Sequence, residues 1–217
     1  MTDYDALRTV MVDTQIRPSD VTSFPIISTM LEVPREAFVP DALRHAAYIG
    51  EHLDLGQGRV MLDPRTLAKM LETIDIQPDE LVLDIGCALG YSSAVLSRLA
   101  GAVVAVEEDP EMAAEARTRL SENGADNVIL HEGPLTGGAP EHGPFDAIIV
   151  EGGVAHLPGG LSDQLKDGGR MVCLFMEGAL GTVRIGYRID GHMTWRYAFN
   201  ASAPVLPGFE RHRAFTL

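Results

Sequence analysis

Apolar positions along the chain change their period near residue 79. Before it they recur at helical spacing: Leu7, Val10, Met11 and Ile16 fall on one helical face, "RPSD" breaks the segment, and a second helix is expected near residues 21–32. "VPREAFVPDALRHAAY", residues 33–48, predicts a charged turn and a helix bracketed by two prolines, and "HLDLGQGRVMLDP" after it predicts a glycine-punctuated loop. Pro64 suits the first position of a helix running to about Ile74, with Asp63 as its cap.

From residue 79 onward, short β-rich runs alternate with amphipathic segments: "ELVLDIG", a helix over 90–100, "AVVAVEE", a helix over 110–122, "NVILHEG" and "FDAIIVEGG". That alternation predicts a parallel, doubly wound α/β sheet. "GLSDQLKDGGRMVCLFM", "GTVRIGYRID" and "MTWRYAFNA" predict a helix, a buried strand and a closing antiparallel hairpin, with "KDGG" and "DG" as turns. The chain therefore divides into an N-terminal helical region, 1–78, packed on a core of 79–217.

Composition narrows the possible partners. The chain has 217 residues, 46% of them apolar, enough for one compact unit with a substantial core. Its 31 acids against 17 bases give a formal charge of −14, a field that repels phosphate backbones and anionic lipid heads. Nucleic acid and membrane are thus poor partners. Two cysteines, Cys87 and Cys173, make neither a disulfide framework nor a thiolate zinc site, and the histidines show no metal-ligand spacing. The first residues lack an export signal, so a cytoplasmic protein is expected.

The chemistry concentrates in "LVLDIGCALGYSSAVLSRLAG", residues 81–101. In a doubly wound sheet, ligand binds beyond the carboxyl ends of the strands, and glycines there let backbone approach it. Gly86 and Gly90 meet that need, and Glu107 ends the next strand at the spacing where a carboxylate takes both ribose hydroxyls. Asp84, two residues before Gly86, suits a cationic amino-acid group and would repel a pyrophosphate, and the spacing departs from Gly-x-Gly-x-x-Gly. These features favour S-adenosylmethionine over a dinucleotide. A ligand-free strand-to-helix turn is the bland alternative, and for Glu107 a solvated acidic turn with Glu108 and Asp109.

Over nearly its whole length the sequence resembles the protein-L-isoaspartate (D-aspartate) O-methyltransferase family. "MVDTQIRPSDV" with "VPREAFVP" is similar to the family's start, and "LVLDIGCALGYSSAVLSRLAG", "VAVEEDPEMAAEAR", "HGPFDAIIVEGGVAHLP" and "QLKDGGRMVC" resemble its sheet motifs. The resemblance implies a Rossmann-like class I S-adenosylmethionine-dependent methyltransferase sheet with an N-terminal helical extension. It implies methyl transfer to the carboxylate of L-isoaspartyl residues in protein or peptide substrates, a repair activity. Cofactor contacts are implied for Asp84, Gly86, Cys87, Ala88, Gly90, Glu107, Pro134 and Leu135, and an acceptor loop containing Arg59, Val60, Leu62 and Asp63.

Departures from the family pattern cluster around that pocket. Val60 stands where the family has Thr and Leu62 where it has Ser, Pro134 stands where an acid meets the adenine, and Ala88 replaces a glycine. Loss of a hydroxyl donor costs a carboxylate acceptor roughly 1.5 to 3 kcal/mol. The expectation is an isoaspartyl-family methyltransferase with a diverged acceptor loop; a family member with a different methyl acceptor, protein or small molecule, or a non-catalytic cofactor-binding or partner-binding protein, is the alternative. Should the acceptor need a base, His52, Asp54, Arg59 and His156 are the loop candidates, each more often a surface residue.

Overall fold

The computed structural model describes residues 2–211. Helix α1 (Tyr4–Met11) starts at Asp3, whose carboxylate accepts the Ala6 N–H, and continues through a widened turn over Val12–Ile16 into a 3-10 turn at Arg17–Ser19. Helix α2 covers Phe24–Glu32. The helix expected within 33–48 is instead two 3-10 stretches, Arg35–Phe38 and Asp41–Ala46, each following a proline that holds the chain extended. Likewise the expected glycine loop is a small antiparallel hairpin, β1 (Leu53–Gly56) and β2 (Arg59–Met61). Its turn carries three successive positive φ angles, at Gly56, Gln57 and Gly58. Helix α3 runs Pro64–Ile74, and the Asp63 side chain caps it by accepting the Thr66 N–H at 2.9 Å.

The main sheet contains β3 (Leu81–Ile85), β4 (Ala102–Glu107), β5 (Val128–Glu132), β6 (Phe145–Val154), β7 (Leu165–Glu177), β8 (Leu180–Ile189) and β9 (His192–Asn200). Its order is β5-β4-β3-β6-β7-β8-β9, with β3 to β7 parallel and the last two strands antiparallel. Helices α4 (Tyr91–Leu99) and α5 (Pro110–Glu122) cross between the first three strands. The order reverses beside β3, so the ligand crevice belongs at the carboxyl ends of β3, β4 and β6. The β8–β9 turn is the predicted Asp-Gly, with φ of 50° and 77° at Asp190 and Gly191. "KDGG", by contrast, lies inside β7 opposite a register shift in β6, and the helix expected before it shrinks to one turn, α6 (Gly159–Ser162).

Alternate residues of the central strands enter two cores, as a period of two requires. Val82, Val103, Ala147, Ile149 and Val172 face a cluster shared with Met11, Ile16, Met30, Phe38, Leu67 and Leu96. Leu83, Val104, Ile148 and Met171 face a smaller cluster closed by Leu135, Leu161, Leu206 and Phe209. That second face is covered by irregular chain and by the segment following β9. The segment is pinned to the end of β6: Gly153 N–H donates to Pro204 O at 2.8 Å, Leu206 N–H to Gly153 O at 2.9 Å, and the Ala155 and His156 amides to Phe209 O. No helix among the described residues is long and apolar enough to cross a membrane.

Candidate cofactor and acceptor cleft

At the end of β3 the backbone turns sharply, with φ of 86° at Gly86, 48° at Ala88 and 95° at Gly90, which leads into α4. Asp84 is fully buried; its Oδ2 accepts the hydroxyls of Ser92 at 2.7 Å and Ser93 at 2.5 Å, while its Oδ1 has no partner. Burial outweighs those two bonds and pushes its pKa up to about 6. Glu107, at the end of β4, is also fully buried and not part of a solvated turn. Its Oε1 accepts the Glu108 and Asp109 amides at 3.0 and 3.1 Å, and its Oε2 accepts the Ala88 amide at 2.8 Å.

A fourth donor to Glu107 comes from the hairpin. Arg59, 2% exposed, places Nη1 2.6 Å from Glu107 Oε1, while its Nε and Nη2 have no hydrogen-bond partner. The guanidinium lies against the glycine turn: a Cβ built on Gly86 would meet Arg59 Nη2 at 3.0 Å and a Leu206 methyl at 3.4 Å. Leu206 also sits over Gly152, where a Cβ would meet it at 2.6 Å. The adjoining cavity, between the glycine turn at Gly86–Ala88 and the Val60–Leu62 segment, is about 20 Å³. That admits a single water. A drug-sized or nucleoside ligand needs roughly 300 Å³ or more. The carboxylates of Asp84 and Glu107 and the glycine turn between them are residues that could hold S-adenosylmethionine, and in this conformation Arg59 and Leu206 lie against that turn.

Leu55, Val60, Met61, Leu62, Leu67 and Tyr91 form the other wall of the cleft, against Cys87, Ala88 and Ser92. Arg35, fully buried and 4.8 Å from the Tyr91 ring centroid, holds this wall from behind by donating to Ala47 O at 2.7 Å and Leu62 O at 2.6 Å. Glu151 completes the lining. In β6 the step from Ile149 to Gly153 is matched in β7 only by that from Val172 to Leu174, and this bulge contains Glu151. Burial, followed by the nearby Asp84 charge, raises the Glu151 pKa well above the carboxylate range, and its Oε1 has no partner. Sequence reasoning missed Glu151, although "IIVEGG" repeats the acid-then-glycine signature that marks Asp84.

The remaining candidates separate. His52 is committed to structure: Nδ1 accepts the Asp63 amide at 2.8 Å and Nε2 faces Ser202 O at 2.6 Å, leaving no free lone pair for a base. Asp63 is used as a helix cap. Asp54 and His156 are exposed, Pro134 is exposed, and the Leu135 side chain is buried in the second core, so none of these four joins the cleft lining. The Cys87 thiol is buried with its pKa pushed well up by burial, as an inert loop residue has it. His131 and His142 meet edge to face beside Glu141, their ligand atoms within 4.8 Å, a grouping made by the fold and invisible in residue spacing. His212 and Arg213 lie outside the described residues.

This arrangement has known counterparts. Residues 8–183 match the family model "Protein-L-isoaspartate(D-aspartate) O-methyltransferase". The chain is 38% identical over 171 residues to protein-L-isoaspartate O-methyltransferase 1 of Rhodopseudomonas palustris, covering 79% of this chain and 70% of that one. It is 39% identical over 170 residues to protein-L-isoaspartate O-methyltransferase 2 of Marinobacter nauticus, covering 78% of each. A solved protein-L-isoaspartate O-methyltransferase superposes with a TM-score of 0.79 at 25% identity, covering 95% of this chain and 66% of that one. A Plasmodium falciparum structure in complex with S-adenosyl-L-homocysteine shares the fold, with a TM-score of 0.79 at 17% identity over 95% and 99% of the two chains. With a Rossmann-like class I methyltransferase sheet, an N-terminal helical extension and a family match over most of its length, the chain belongs to the protein-L-isoaspartate (D-aspartate) O-methyltransferase family.

Proposed function

We propose that the chain is an S-adenosylmethionine-dependent methyltransferase whose acceptor is a hydroxyl or amine on a protein or small molecule, not an isoaspartyl carboxylate. The observation that carries this reading is Glu151, a buried carboxyl that lines the cleft together with Leu62. A carboxylate acceptor there would meet the Leu62 isobutyl group in place of a hydroxyl donor, with desolvation against it. A hydroxyl or amine gains a hydrogen-bond partner in the Glu151 carboxyl, and when that carboxyl is ionised its burial-raised proton affinity suits it to take up the proton such a group loses on methylation.

Asp84, Gly86, Gly90 and Glu107 would hold the cofactor, which supplies an electrophilic methyl group when bound. Cys87 and Ala88 would border it, and the Val60–Leu62 wall would orient the acceptor. The test is methyl transfer from labelled cofactor to an isoaspartyl peptide. The wild type is expected to form no base-labile ester, and Val60→Thr/Leu62→Ser with Glu151→Gln to form it. Esterification by the wild type at the rate of a family enzyme sinks the proposal. A non-catalytic family member is the second reading, favoured by the side chains that fill the cleft.

A further inference from the structure

We infer that Arg59 and Leu206 are self-ligands of the cofactor site, so that an adenosyl ligand enters only when both withdraw. The inference rests on the methyltransferase reading above and concerns what must happen before that reading operates. A carboxylate offers about four lone-pair positions. On Glu107, Oε1 receives the amides of Glu108 and Asp109 and Arg59 Nη1, more donors than it has lone pairs, while Oε2 receives only the Ala88 amide, so a ribose diol has one oxygen open to it and cannot bridge both. Arg59 is the replaceable donor of the four. The three amides belong to the backbone of the site itself, whereas Arg59 reaches in from the β1–β2 hairpin.

The rest of the guanidinium points the same way. Nε and Nη2 are buried without partners, so the side chain is held in the cleft by a single ion pair. When it leaves, Glu107 keeps three N–H donors, and the site stays formed around its carboxylate. From the opposite side Leu206 occupies the room that Gly86 and Gly152 open by lacking side chains. Its segment is pinned by hydrogen bonds to Gly153, to the Ala155 and His156 amides and, through Ser202 O, to His52. Glycines that give backbone access to a ligand here give access to the chain's own side chains.

The apparent affinity of a site is reduced by the fraction of molecules in the competent form, and opening a buried ion pair makes that fraction small. Calorimetric titration with S-adenosylhomocysteine therefore separates wild type from Arg59→Gln and Arg59→Gln/Leu206→Ala, each checked for folding by thermal melt. The double variant is expected to bind about 100-fold more tightly than wild type or better, with the single variant between. Adding Glu107→Gln is expected to remove that gain, because the ribose then loses the carboxylate that Arg59 had covered.

Equal affinity for wild type and the double variant overturns the inference and leaves the methyltransferase reading intact. No binding by any folded variant overturns both. If the variants do not fold, hydrogen exchange on the wild type replaces them: saturating S-adenosylhomocysteine is expected to speed exchange of the amides of residues 56–61 and 203–209. Bound ligand with unchanged or slower exchange at both segments overturns the inference.

Discussion

Ala88 shows what a single methyl costs in the turn between β3 and α4. Its φ of 48° is in the left-handed region, where a Cβ costs about 1 kcal/mol. Ala88→Gly is therefore expected to raise unfolding free energy by up to about 1 kcal/mol in a urea titration, despite the greater freedom of glycine in the unfolded chain. Asp84 and Glu151 make a sharper prediction. Both have raised pKa values, so the folded state holds protons that the unfolded state has released, and stability falls as pH rises from the unfolded value near 3.8 through about 6 for Asp84. Asp84→Asn removes that penalty while an amide oxygen can still accept the serine hydroxyls. Relative to wild type, its melting temperature is expected to be unchanged or lower at about pH 4 and higher at about pH 7.5. A difference that does not grow with pH in that direction contradicts the burial of charge at this position.

Elements whose ends carry their own chemistry are legible in the sequence. Asp63 with Pro64 and Asp109 with Pro110 start α3 and α5 where the sequence places them, because a capping carboxylate and a proline act within one turn. The hairpin is not legible, since "LDLGQGRVM" has neither the length nor the alternation of a strong strand pair and is held from outside by Arg35 and His52. Nor is the route of Arg59 to Glu107, which joins residues 48 positions apart. The position of Glu107 at a strand end is what proposes it as a ribose ligand; its partner in the fold, Arg59, has no signature in residue spacing. Arg35→Ala is expected to cost about 3 to 5 kcal/mol in chemical denaturation, as for other buried charged groups removed from their partners, by releasing the carbonyls of Ala47 and Leu62. Asp63→Ala, removing only the cap, is expected to cost about 1 kcal/mol.

Across the whole molecule, the two sheet faces are covered differently. One is buried under the N-terminal region, α3 and α4, and the other under irregular chain ending in Leu206 and Phe209. Phe209→Ala is expected to cost about 3 to 5 kcal/mol and lower the melting temperature by roughly 10 °C, because a fully buried ring there closes a core covered only by irregular chain and the single turn α6. The parallel order of the sheet follows from strand and helix alternation, whereas the path of the last residues across β6 has no periodic signal to announce it. The β1–β2 hairpin has one more consequence. Arg59 pairs with Glu107, the proposed ribose ligand, and the next three residues, Val60 to Leu62, line the proposed acceptor end of the cleft. One displacement of this short ribbon would unlock both compartments, so whichever ligand arrives first bears the work of opening and the second enters at a discount. The two affinities would then be linked reciprocally, and two neighbouring compartments would answer to a single hinge.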